Sequence, residues 1–213
     1  MSASALPDLA QATAGPGRVG PNAVLQLVPA LAAAGLAART PALFAAAGAG
    51  DWLAEPPAVM LDERQVAALH RTLRTQLPPA LARAVLADAG RRTGDYVLAH
   101  RIPAPARCLI RALPRPLAAR ALIAAIRAHA WTFVGSGRLT ARPGRPAILA
   151  VTANPLAAAP GEPASGCVWH AAAFRQLFRG LVHPQATVRE TACAAHGAEV
   201  CRFEIHAASS ESA

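Results

Sequence analysis

Apolar residues recur along the chain with two different periods, and the change falls near residue 131. Before it the spacing is helical. Residues 22–37 read as helix with a break at Pro29, and Thr40-Pro41 reads as an N-cap with proline at the first helical position, opening a short helix that Gly48 and Gly50 close. Asp62 is placed to cap ERQVAALHRTLRTQL, where Val66, Leu69, Leu73 and Leu77 share one face. Pro78-Pro79 starts the next helix, with Leu81, Val85, Leu86, Val97 and Leu98 as its inner stripe and a bend at Gly90. Two more helical pieces follow near 105–112 and 115–130, the second carrying Leu117, Leu122, Ile123 and Ile126.

After residue 131 the pattern turns to short strands, predicted over 131–140, 146–153, 186–194 and 199–206, with one helix over 167–182. Helices first and strands later, with a helix between two hairpins, predict an α+β fold in which N-terminal helices pack on a small antiparallel sheet. The organisation this implies is a flexible lead-in over 1–20, a helical region over 21–130, an α+β region over 131–206 sharing one domain with the helices, and a tail over 207–213.

Composition changes this picture in two places. All 21 basic residues are arginine, and the formal net charge is +9. The arginines are scattered as singles and short pairs rather than gathered on one stripe, which argues against nucleic acid as a partner and leaves anionic lipid or acidic ligands. The N-terminal sequence lacks a basic region followed by a continuous apolar run, so a cytoplasmic location with reduced cysteines is expected, with peripheral contact to a membrane as an extension of it. The uncharged run from Val19 to Ala38 contains Pro21, Asn22, Gln26 and Pro29, and is read as a buried or interfacial helix rather than a membrane span.

The chemistry-bearing constellation is Cys167, Glu190, Cys193 and Cys201, the last three in the order E-x2-C-x7-C. On a hairpin Cys193 and Cys201 become cross-strand neighbours, able to share a metal or a disulfide. The spacing admits a structural zinc site with four protein donors, and it equally admits small buried apolar cysteines with Glu190 paired to an arginine. His170, one helical turn after Cys167, competes as a ligand. Glu190 and Cys193 stand three apart and would face opposite sides of a flat strand, so a bulge or an early strand end must intervene.

A second candidate is an apolar cavity between sheet and helices, lined by Trp131, Phe133, Trp169, Phe174 and Phe178, with His100, His129 and His170 as potential ligands to a metal inside a bound cofactor. The same aromatics could simply fill the core. Gly135-Ser136-Gly137 lacks the third glycine and the following helix of a dinucleotide site and is read as a bend or bulge in a strand. Asp62-Glu63 and Asp95 are read as capping or surface groups. The chain carries no nicotinamide or flavin fingerprint.

The run from Cys167 to Phe203 resembles the 4-vinyl reductase domain family, matching an early cysteine before a helix and then E-x2-C-x7-C-x-F over a closing hairpin. The stretches DERQVAALHRTLR, AGRRTGDYVLAHRIP and AIRAHAWTFVGSG resemble its bacteriochlorophyll-biosynthesis branch, so the likeness covers roughly residues 60–206. The resemblance implies zinc on Cys167, Glu190, Cys193 and Cys201, the α+β fold of Golgi-transport tethering subunits, and a homodimer. It further implies a magnesium tetrapyrrole of chlorophyllide or protochlorophyllide type as ligand, in a pocket where a histidine or water meets the magnesium and Arg101 or Arg138 meets a propionate. Other bacteriochlorophyll-synthesis enzymes are the implied partners. Because reduction of a vinyl group needs a hydride or electron source, the expected role is a carrier or accessory factor. The alternatives are a reductase of the tetrapyrrole vinyl group and a non-catalytic sensing or scaffold module.

Overall fold

The computed structural model describes residues 17–162 and 166–207. A two-residue strand β1 (Arg18–Val19) begins inside the stretch read as lead-in and pairs antiparallel with β2 (Leu61–Asp62). Between them lie α1 (Asn22–Leu25), α2 (Leu27–Ala33), α3 (Thr40–Ala46) and α4 (Asp51–Ala54). The remainder of the lead-in and residues 208–213 of the tail lie outside the described residues.

The break expected at Pro29 falls one turn earlier, at Gln26. Proline has no N–H for the carbonyl four residues back and crowds it, so the helix is interrupted upstream of the ring, near Leu25. Thr40 is not the N-cap of α3. It is already helical, and its hydroxyl donates to the Leu36 carbonyl at 3.1 Å. The far end of α3 follows the sequence: Gly48 adopts φ +68°, and the Ala49 N–H returns to the Phe44 carbonyl at 2.9 Å.

Asp62 caps α5 (Glu63–Gln76), accepting the Arg64 N–H at 2.8 Å, and Val66, Leu69, Leu73 and Leu77 are all buried. In α6 (Pro79–Tyr96) the helix runs unbroken through Gly90. A Cβ at Gly90 would stand 2.2 Å from the Trp169 carbonyl oxygen, and one at Gly94 would stand 2.6 Å from the Gln176 Cβ. These glycines let α6 and α9 (Val168–Leu181) touch backbone to backbone. The Gln176 amide and the Asp95 carboxylate tie the same pair at 2.6 Å, so Asp95 serves this helix contact.

After a π-helical turn at Val97–Arg101 come α7 (Ala104–Ala112) and α8 (Arg115–Ala128). Leu122, Ile123 and Ile126 face inward as expected, but Leu117 is 45 % exposed because Ala118 takes the inward position of that turn. The strand expected over 131–140 is shortened to β3 (Arg138–Arg142). Ala130–Thr132 is a helical turn, Gly135 has φ +57°, and the Glu63 carboxylate holds the Ser136 N–H at 2.7 Å and its hydroxyl at 2.6 Å. Gly135-Ser136-Gly137 is therefore a turn before the strand, bound to the start of α5.

With β4 (Ala147–Thr152), β5 (Thr187–Ala192) and β6 (Val200–His206), β3 forms an antiparallel sheet in the order β3-β4-β6-β5. Alternation along β6 turns Cys201, Phe203 and Ile205 inward and Arg202 and His206 outward. Two apolar clusters result, one among the N-terminal helices and one between the sheet and α8 and α9, and Phe133 packs against both. Val19, Val24, Leu27 and Leu31 are buried in the first, which absorbs the uncharged run. Among the described residues no helix is long and apolar enough to cross a membrane.

Candidate metal centre

Cys167 occupies the N-cap position of α9, Cys193 follows β5, and Cys201 lies near the start of β6. The odd spacing between Glu190 and Cys193 is resolved by a bulge. Glu190 pairs with Phe203 but Ala192 pairs with Arg202, leaving Thr191 as the extra residue. Glu190 thus shares the inward face of Phe203, and one step beyond Ala192 the chain brings Cys193 beside Cys201. Gly197, at φ +84°, then ends the turn that returns the chain to β6.

The three sulfurs and one Glu190 oxygen all lie within 4.8 Å of one another. Cys167 Sγ is 4.0 Å from Cys193 Sγ and 3.0 Å from Cys201 Sγ. Thiolates on one tetrahedral zinc stand about 3.8 Å apart. The first distance already suits that geometry, and the second has to open by several tenths of an ångström; both exceed a disulfide bond, about 2.05 Å. The cysteines are almost fully buried. Glu190 Oε2 accepts the Cys167 N–H at 2.8 Å, while its Oε1 is buried with no hydrogen-bond partner. A buried carboxylate oxygen beside three thiols calls for a cation, so the donor set fits the metal.

Electrostatics without the ion point the same way. The Cys201 thiol is pulled down to about 6, first by the S–H donated from Cys167, whose own thiol is pushed far up by its contacts with Cys193 and Cys201. The cluster thus holds one ready thiolate, and a cation would replace the remaining protons. Four protein donors close the coordination sphere, so a zinc here fastens the start of α9 to the β5–β6 hairpin and offers no position for a substrate.

Two neighbours of the cluster escape notice in the sequence. The Asn154 amide donates to Cys167 Sγ at 3.3 Å while its oxygen accepts the Leu156 N–H at 3.1 Å. Gly166, at φ +114°, leaves the space taken by Glu190, whose Oε2 would be 3.2 Å from a Cβ there. The only sequence sign of either is an Asn-Pro and a Ser-Gly in a turn-rich loop. His170, the competing ligand, lies outside the donor set. Its ring sits among Trp169, Phe133, Phe174 and Phe203, and burial lowers its pKa to about 4.

The other residues singled out for a cavity are dispersed. Phe174 and Phe178 are buried in the sheet-side core, and Phe133 meets Phe174 edge-on with centroids 5.8 Å apart. Trp131 is 60 % exposed, and His100, His129, Arg101 and Arg138 are exposed too. Two surface grooves are present. One, of about 770 Å3, runs between α6, α9 and β5 past Arg83, Arg175 and Glu190. The other, of about 580 Å3, lies where α8, the β3–β4 turn and the end of β6 meet, and Phe178 reaches it.

Residues 148–207, which include all four cluster residues, match the 4-vinyl reductase domain. Over 189 residues the chain is 50 % identical to the bacteriochlorophyll synthase 23 kDa chain of Cereibacter sphaeroides, covering 88 % of this chain and 90 % of that one. The chain belongs to this family. The bacteriochlorophyll synthase 23 kDa chain of Rhodobacter capsulatus is 44 % identical over 190 residues, covering 89 % of this chain and 87 % of that one. The similarity to the 23 kDa chains therefore spans the helical half as well as the 4-vinyl reductase domain.

Proposed function

We propose that this protein acts in bacteriochlorophyll biosynthesis by binding a magnesium tetrapyrrole of chlorophyllide or protochlorophyllide type, as a carrier or accessory factor to the enzymes of that synthesis. The single observation that carries the reading is the 50 % identity, over nearly the whole chain, to a bacteriochlorophyll synthase 23 kDa chain. Three features of the fold support it. The metal cluster is saturated by protein donors, which gives it a structural role. Both grooves have volumes usual for small-molecule sites. The Gly135–Gly137 turn is filled by the Glu63 carboxylate, which would repel a phosphate.

The same chain is suited to work beside a membrane. Residues 96–161 contain nine arginines and no acidic residue, and Leu109, Leu117 and Trp131 in that stretch are exposed. That combination supports peripheral contact with anionic lipid. A homodimer is part of the proposal, and light scattering reads it.

Purified protein titrated with divinyl protochlorophyllide tests the reading. A shifted pigment spectrum saturating at one pigment per chain, with the vinyl group intact after NADPH or reduced flavin is added, is the expected result. Turnover of the vinyl group would replace the carrier by a reductase, and absence of pigment binding would remove the tetrapyrrole.

A further inference from the structure

The groove of about 580 Å3 has an apolar floor, to which Phe178, Ile205 and Ala119 contribute, and a rim carrying Arg115, Arg120 and Arg145. The three arginines are exposed, and among the described residues none of them enters an ion pair. Elsewhere the guanidinium groups are occupied. Arg64, Arg71, Arg74, Arg91 and Arg92 meet carboxylates, and Arg107, Arg111 and Arg179 meet backbone carbonyls. The difference is written into the sequence, because all three rim arginines fall in the acid-free stretch 96–161.

Cations gathered around an apolar floor repel one another and favour an anion between them. A guanidinium binds carboxylate through two parallel N–H···O bonds, and such bonds gain strength beside a surface that excludes water. The shape therefore suits a ligand with a flat apolar body and a carboxylate at one edge. The larger groove is less suited. Its arginines share the space with the Glu190 carboxylate, and it borders the metal cluster at Cys193.

We propose that this arginine-rimmed groove is where the acidic edge of the tetrapyrrole is held, with the propionate on Arg120 and Arg145 and the macrocycle against the Phe178 and Ile205 floor. The inference rests on the tetrapyrrole reading above and replaces Arg101 and Arg138 as the propionate's partners.

Chlorophyllide a and its methyl ester, which lacks the negative charge, are the probes, titrated by pigment fluorescence at low salt. The wild-type chain is expected to bind the acid roughly tenfold more tightly than the ester. The double variant Arg120→Gln/Arg145→Gln is expected to bind both at the ester's affinity while melting at the wild-type temperature. Arg175→Gln, in the other groove, is expected to keep the preference for the acid. Equal wild-type binding of acid and ester, survival of the preference in the double variant, or its loss in Arg175→Gln would each overturn the groove while leaving a pigment-binding protein. Failure of the wild-type chain to bind either probe would overturn the tetrapyrrole reading, and the groove assignment with it.

Discussion

At the scale of single residues, the cluster separates side chains that hold a metal from one that aims them. Cys193→Ser is expected to lose the metal and melt earlier, whereas Cys108→Ser, on the exposed face of α7, is expected to do neither; metal analysis and thermal melts check both. Asn154→Ala removes the N–H directed at Cys167 Sγ and is expected to weaken zinc affinity by roughly 10- to 100-fold, read by competition with a chelator. His70 makes a different prediction. Its Nε2 meets the Ala23 carbonyl at 2.9 Å, and burial lowers its pKa from 6.5 to about 4. The folded chain keeps this ring neutral, while the unfolded chain takes up a proton below pH 6.5. Its contribution is therefore complete above pH 6.5 and declines by about 3 kcal/mol as the pH falls to 4. Denaturant midpoints across that window, compared with those of His70→Gln, measure it.

At the scale of elements, the α6–α9 crossing governs how closely the two halves approach. A methyl at Gly94 would press on Gln176 and the Ala173 carbonyl, so Gly94→Ala is expected to cost about 1–3 kcal/mol in chemical denaturation despite its higher helix propensity. This crossing also marks how far the sequence could be read. Periodicity located α5, α9, β4, β5 and β6 closely, because each buries one regular face. It gave Gly90 a bend, because nothing local tells a glycine that bends a helix from one that admits a neighbouring backbone. The strand drawn over 131–140 failed for a related reason. Trp131, Phe133 and Val134 have strand-forming side chains, but Glu63, some seventy positions away, fixes Ser136 in a turn. The four cluster residues were legible because thiols and a carboxylate announce their chemistry, whereas Asn154 and Gly166 act through geometry alone.

At the scale of the whole molecule, the clasp and the shared Phe133 join two apolar clusters into one body. Removing zinc with a strong chelator is expected to lower the melting temperature and to free the β5–β6 hairpin first, seen as faster amide exchange in residues 187–206 than in α5 or α6.

The bulge at Thr191 gives this closing hairpin a parity of its own. Because Thr191 is the surplus residue, deleting it would restore a plain ladder in which Glu190 still opposes Phe203 and Cys193 still falls beside Cys201. A second deletion between Glu190 and Cys193, or an insertion there, would turn the carboxylate or the thiol outward. Length variation in this strand is therefore tolerated in one direction and at one place, and a chain shorter by Thr191 alone would keep its metal.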